Sequence, residues 1–141
     1  MSLGPRAARV VAWMIVGCTT GLTAAQPPAG APSHPGQLID IGGRRLHLNC
    51  TGSGAPTVVV ESGSGAFSID WALVQPAVSR FARICTYDRA GYAWSDAGPI
   101  RDLPEQSIAD FELLLRLGQI NPPYVLVGQS IGGILVRLSL F

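Results

Sequence analysis

The sequence predicts an α/β fold, a mostly parallel sheet fed by crossover helices, and three observations carry that prediction. From Gln37 onward, segments of strand character alternate with segments of helical periodicity, the pattern of parallel strands joined by right-handed crossovers. Thr57-Val58-Val59-Val60 is a continuous β-branched run, as expected of a strand buried on both faces. Tyr124 to Val127 is another run suited to a buried strand, and it breaks into Gly128-Gln129-Ser130-Ile131-Gly132 before an apolar helical segment, Ile131 to Phe141. A serine on so tight a strand-to-helix turn has its hydroxyl pushed outward, and small residues two positions either side let strand and helix pass without clash. The helix N-terminus behind it offers free N–H groups and the positive end of a dipole to a developing oxyanion. The competing reading of this stretch is a plain βα turn whose serine caps the helix.

The N-terminus, residues 1–25, reads as an export signal: Arg6 and Arg9 precede the apolar run Val10 to Gly17, and small residues follow. That run is too short to span a bilayer. Two processing sites are open. Ile15-Val16-Gly17-Cys18 resembles a lipobox that would leave Cys18 lipid-anchored, whereas Thr23-Ala24-Ala25 resembles an ordinary cleavage site. Either one predicts an exported protein, periplasmic or extracellular, with no other membrane association. Gln26 to Gly36 is rich in Pro, Ala, Gly and Ser and has nothing to bury, so residues 26–36 read as a linker that includes His34.

The folded part is expected over residues 37–141. Leu38 to Ile41 and Arg44 to Cys50 read as strands joined by the hairpin turn Gly42-Gly43. Leu46, Leu48 and Cys50 share one face of the second strand, which leaves Arg45, His47 and Asn49 on a face expected to be wet. Thr57 to Val60 ends in Glu61-Ser62-Gly63-Ser64-Gly65, whose glycines allow close approach of backbone to a ligand. Trp71 to Phe81 reads as an apolar helix starting in earnest at Pro76, and Ile84 to Tyr87 as a fourth strand. A further helix is expected from about Ser107 to Leu117, with Ser107 and Asp110 as a capping box, Gly118 as its stop, and Ile108, Phe111, Leu114 and Leu115 as its buried stripe.

Composition narrows the function. The chain has 141 residues, 48% of them hydrophobic, and a formal net charge of +1. The ten Lys+Arg residues are all arginine, and without Arg6 and Arg9 eight face nine acids. No basic patch results, so a nucleic-acid partner is not expected. There is no Gly-x-Gly-x-x-Gly opening a helix and no Walker lysine, which excludes the common nucleotide-binding loops. Two separated histidines and two cysteines on different strands lack the local spacing of a zinc site, so neither a metal nor another cofactor is expected. With Cys18 in the leader, Cys50 and Cys85 remain in a chain bound for an oxidising compartment. If the second and fourth strands pair antiparallel, these two fall within disulfide reach; a bridge and two separate buried thiols are both open.

Taken together, residues 37–141 resemble the α/β-hydrolase superfamily. The resemblance rests on the N-terminal hairpin, the strand ending in a glycine-rich loop, the loop Tyr87-Asp88-Arg89-Ala90-Gly91-Tyr92-Ala93-Trp94-Ser95-Asp96, and the Gly-x-Ser-x-Gly turn. The chain looks like the branch in which Glu-Ser-Gly, here Glu61-Ser62-Gly63, replaces the commoner His-Gly after the third strand. The resemblance implies that Ser130 is the nucleophile, within a turn permitted by Gly128 and Gly132. It also implies that the oxyanion meets the backbone N–H of Ile131 and one from the earlier loop, best aligned at Ser64, with Gly63 and Gly65 as alternatives. The family's sheet order places the second strand beside the fourth, in favour of the Cys50–Cys85 bridge. A serine rather than an aspartate at the turn implies ester, thioester or amide hydrolysis of a small-molecule substrate. Tyr92 and Trp94 are candidates for pocket walls, more often packing, and Asp88 is expected to be structural.

The pattern departs from the family in one respect. The triad runs nucleophile, acid, histidine in this fold, yet eleven residues follow Ser130 and none is a histidine. Single domains of this kind commonly run to roughly 200–250 residues. The expectation is therefore the N-terminal half of an exported serine hydrolase, poorly soluble and nearly inactive by itself, with a strand edge left open at Tyr124 to Val127. The alternative is a non-catalytic exported or lipid-anchored binding module that keeps the front of the fold.

Overall fold

A computed structural model describes residues 33–98 and 103–139. The expected export signal, Cys18 and the expected linker as far as residue 32 lie outside the described residues. Five strands form one sheet: β1 (Gln37–Asp40), β2 (Arg45–Thr51), β3 (Thr57–Glu61), β4 (Ile84–Tyr87) and β5 (Tyr124–Gly128), in the spatial order β1-β2-β4-β3-β5. The pairs β1–β2 and β2–β4 are antiparallel, and β3 runs parallel to both β4 and β5.

The hairpin forms where its glycines demand it. Gly42 and Gly43 take φ values of +93° and +90°, a left-handed pair that residues with a Cβ rarely adopt. The backbone closes with Ile41 N–H donating to the Arg44 carbonyl at 3.0 Å. β3 and β4 are central and buried nearly throughout, as their unbroken apolar runs require. β5 lies at the end of the sheet and pairs only with β3 among the described residues, so it is half-exposed, with Val125 44% accessible.

Helix α1 (Gln75–Val78) is a single turn preceded by a 3-10 turn over Ser68–Trp71, not the apolar helix expected from Trp71 to Phe81. Pro76 does sit in its first turn, but Leu73 and Phe81 are 93% and 79% exposed. The run is hydrophobic without an apolar stripe against the sheet, and a helix this short needs tertiary packing to persist. What anchors it is polar: the buried Gln75 amide donates to the Asn49 carbonyl at 3.0 Å.

Helix α2 (Pro104–Leu117) starts three residues before the expected cap. Pro104 in its first turn, where a missing N–H costs nothing, is the stronger start signal. Asp110 does not complete a box with Ser107; it is buried, takes Arg44 Nε at 3.0 Å and Gln106 Nε2 at 2.8 Å, and so ties the hairpin to α2. Phe111, Leu114 and Leu115 are buried as the periodicity predicts, in a core with Leu46, Leu48, Val59 and Tyr87. Helix α3 (Ile131–Leu138) follows β5 immediately. None of the described helices is long and apolar enough to cross a membrane.

Cys50 and Cys85 face each other directly in the β2–β4 register, Cα to Cα 4.0 Å, and are joined by a disulfide. Closing a loop over a sequence separation of 35 restricts the unfolded chain, an effect on the order of 2–4 kcal/mol. Reduction is accordingly expected to lower the urea midpoint of the folded chain, and a Cys50→Ala/Cys85→Ala variant should match the reduced protein and be indifferent to reductant.

Candidate active site

The corner between β5 and α3 adopts the backbone that its residues permit. Ser130 takes φ +54° and ψ −123°, a strained conformation for a residue with a side chain, sustained only where the surroundings fix it. It is exposed, and its hydroxyl does not cap α3, against the plain capping role. Two glycines make the corner possible by close approach. A Cβ on Gly132 would lie 2.2 Å from the Glu61 carbonyl oxygen, and one on Gly128 would lie 2.4 Å from Gly133 Cα. The start of α3 is thus seated on the end of β3, and Gln129 N–H donates to the same Glu61 carbonyl at 3.0 Å.

Glu61 also carries the polar framework under the adjoining loop. Its carboxylate, 2% exposed, takes Arg89 Nη1 at 2.5 Å on one oxygen and the Tyr87 hydroxyl on the other. Burial, and then the neighbouring Glu61 charge, hold the Tyr87 phenol neutral with its pKa well above the ordinary value. Arg89 continues to the backbone, donating to the Ser62 carbonyl from Nη1 and to the Gly63 carbonyl from Nη2, each at 2.6 Å. Trp71 Nε1 donates to Ser62 Oγ at 3.0 Å. Neither Glu61 nor Arg89 stood out in the sequence as shaping the loop; the available signal was a carboxylate closing a strand otherwise apolar and buried, which needs a partner.

These supports bring Ser64 and Ile131 to the wall of one cavity of about 110 Å³, together with Arg89, Tyr92, Ser107 and Leu135. Among the described residues, no hydrogen bond uses the N–H of Gly63, Ser64 or Ile131. Tyr92 lies on the cavity wall and its ring packs on the Arg89 guanidinium, 5.1 Å from centroid to Cζ. Trp94 does not reach the cavity lining; its ring packs on His47, centroids 4.9 Å apart. A larger hollow of about 400 Å³ lies between α2 and β5, lined among others by Phe111, Leu115, Ile120, Tyr124 and Leu126. It is mainly apolar and holds none of the candidate site residues.

His47 corrects the expectation of a wet strand face. It is fully buried, with Nδ1 2.9 Å from the equally buried Asp88 carboxylate and Nε2 on the Pro35 carbonyl. The loop after β4 covers it: Ser95 Oγ accepts the His47 N–H at 2.9 Å, and Asp96 N–H donates to the Arg45 carbonyl at 2.9 Å. His34, assigned to the linker, packs its ring edge-on against His47 with centroids 5.5 Å apart. β4 and β3 separate β2 from β5, so His47 is not placed to serve Ser130. Burial alone would lower the His47 pKa; the Asp88 hydrogen bond and the Pro35 carbonyl outweigh it and raise the value above 6.5. Asp88 lies below 3.8, where the His47 and Ser68 hydrogen bonds overcome the opposing effect of burial. Among the described residues, no cluster of His, Cys, Asp and Glu is arranged to hold a metal ion.

An antiparallel hairpin leading into parallel strands, with a strained serine corner at the end of β5 and a glycine-rich turn at the end of β3, defines part of an α/β-hydrolase fold. The chain belongs to the α/β-hydrolase superfamily. The enol-lactonase from Burkholderia xenovorans LB400 superposes with a TM-score of 0.64 at 26% identity, over 70% of this chain and 39% of that one. A protein of Gibberella zeae described as an AB hydrolase superfamily protein is 29% identical over 58% of this chain and 26% of its own length. A protein of Hormonema carpetanum described as a probable transporter is 40% identical over 71% of this chain, which spans 15% of that protein. No family model matches the chain. The chain therefore spans about 15–39% of the length of these relatives.

Proposed function

We propose that this chain supplies the nucleophile and oxyanion hole of an exported serine hydrolase acting on a small ester, thioester or amide. The observation that carries this reading is the meeting of Ser64 and Ile131, from separate turns, on one cavity, next in sequence to a serine held at φ +54°. In this mechanism Ser130 Oγ attacks the acyl carbon. The carbonyl oxygen becomes an oxyanion that accepts the N–H groups of Ile131 and of Ser64 or Gly63. Collapse of the adduct expels the leaving group and leaves an acyl-serine, which water hydrolyses. The hydroxyl proton must pass to a base, and none of the described residues is placed to take it. With the described residues alone, solvent takes the proton, so acylation is slow and full turnover requires an acid–histidine pair from outside them.

An activated ester with a good leaving group, p-nitrophenyl acetate, makes the first half-reaction observable. Incubation followed by peptide mass spectrometry is expected to place one acetyl group on Ser130, and Ser130→Ala is expected to abolish that label without changing the circular dichroism spectrum. Equal labelling of the alanine variant, or label confined to other residues, would remove the nucleophile assignment and favour a non-catalytic module. Export through residues 1–25 is checked by N-terminal sequencing of the mature product, which should begin at or shortly after Cys18 or Ala25.

A further inference from the structure

We propose that Arg89 is the positioning residue of the oxyanion loop, its guanidinium gripping the Ser62 and Gly63 carbonyls so that the Gly63 and Ser64 N–H groups are turned to the opposite side. The inference rests on the serine-hydrolase reading for its catalytic meaning and on peptide geometry for its substance. In a planar trans peptide, the carbonyl of one residue and the N–H of the next point in opposite directions. Neither the Ser62–Gly63 nor the Gly63–Ser64 peptide is cis. Arg89 bonds both carbonyls at 2.6 Å, and this fixes where both amides face.

Such a grip is needed because the loop does not hold itself. Gly63 and Gly65 lack the Cβ that restricts backbone rotation, and the one backbone bond that closes the turn, from Ala66 N–H to the Gly63 carbonyl, is 3.3 Å long. A planar guanidinium can span two adjacent carbonyls and a carboxylate at once, which a lysine ammonium does not match. Arg89 is itself fixed on all sides. Glu61 compensates its charge, Tyr87 occupies the other Glu61 oxygen, and Tyr92 covers its face. The Ser62 carbonyl meets Arg89 and also lies against Gly132, where a Cβ would come within 2.7 Å. One carbonyl thereby registers the loop against the start of α3, so that amides from two separate turns converge.

Two variants test this. Arg89→Lys keeps the charge and loses the fork, and Glu61→Gln/Arg89→Gln removes both charges so that no buried ion is left unpaired. For each, the rate of Ser130 acetylation is followed against p-nitrophenyl acetate concentration, and the amide signals of Gly63 and Ser64 are followed by 1H–15N NMR. The expected result is a fall of about 10–100-fold in the limiting acetylation rate, smaller than the roughly 100–1,000-fold seen when an oxyanion donor is lost outright, because the amides are loosened and not removed, with little change in the half-saturating concentration. The Gly63 and Ser64 signals should shift and broaden while those of Val58 to Val60 stay in place. A folded variant that acetylates at the wild-type rate, or whose Gly63 and Ser64 signals do not move, overturns the inference. Failure of the wild-type protein to acetylate at Ser130 would instead count against the serine-hydrolase reading. The amide signals would then decide the role of Arg89 on their own.

Discussion

Replacing Gly132 by valine is expected to cost about 3 kcal/mol or more of folding stability, at the upper end of what overpacking produces. The reason is local and rigid. Any Cβ at this position would fall 2.2 Å from the Glu61 carbonyl oxygen and 2.7 Å from that of Ser62, and both atoms are backbone held by other bonds. Relief requires α3 to lift from the end of β3, which breaks the bond from Gln129 N–H to Glu61 and carries Ile131 away from Ser64. The neighbouring glycine provides the contrast. A Cβ on Gly133 meets nothing nearer than 3.5 Å, and an alanine inside a helix is favoured over glycine by about 0.8–1 kcal/mol. Urea unfolding should therefore find Gly133→Ala neutral or stabilised and Gly132→Val severely weakened. Similar midpoints for the two variants would mean that the corner is not packed as described.

The second large effect is expected at Asp88. Its carboxylate accepts from His47 Nδ1 and from the Ser68 N–H at 2.9 and 2.7 Å, so Asp88→Ala strands a histidine and an amide together. Removing one partner of a buried pair typically costs about 3–5 kcal/mol. The loss should depend on pH in a defined sense. The folded His47 value is raised above 6.5, so its contribution is complete below that ordinary value and disappears as pH rises through the folded value. The folded Asp88 value is lowered below 3.8, so its contribution is complete above 3.8 and disappears as pH falls through the folded value. The stability difference between wild type and Asp88→Ala should accordingly peak between these two ordinary values and shrink toward either side. Unfolding free energies measured from about pH 3 to pH 9 check this, and a difference that stays flat across the range would contradict the buried ion pair.

Both predictions concern residues whose types were plain in the sequence; the family resemblance also implied a structural role for Asp88, but not that His47 is its partner. Gly132 was legible because a strand run, a tight serine turn and a helix run are consecutive, and the steric need for small residues is local to that corner. The hairpin at Gly42-Gly43, the burial of β3, and the stripe of Phe111, Leu114 and Leu115 were legible for the same reason: each depends on periodicity or turn chemistry within a few residues. The Cys50–Cys85 juxtaposition needed only one further step, the adjacency of β2 and β4 implied by the family resemblance.

What the sequence could not settle was decided by contacts distant along the chain. Alternation along β2 put His47 opposite Leu46 and Leu48, but period two says which residues share a face and not what covers that face. A loop distant along the chain closes over it, with Ser95 bonded back to His47 at a separation of 48 residues and Asp96 to Arg45 at a separation of 51. The same limit applies to Trp71 to Phe81, apolar in composition but without a surface to bury against, and to Arg89, whose meaning comes from Glu61, Ser62 and Gly63. The sequence by itself determined the strand–turn–helix corner, the hairpin and the parallel core, because backbone sterics and hydrophobic periodicity act over a few residues. Only the tertiary structure decided which polar side chains are buried and what they hold, because a charged or hydrogen-bonding group is stable inside a protein only when partners from elsewhere in the chain meet it there.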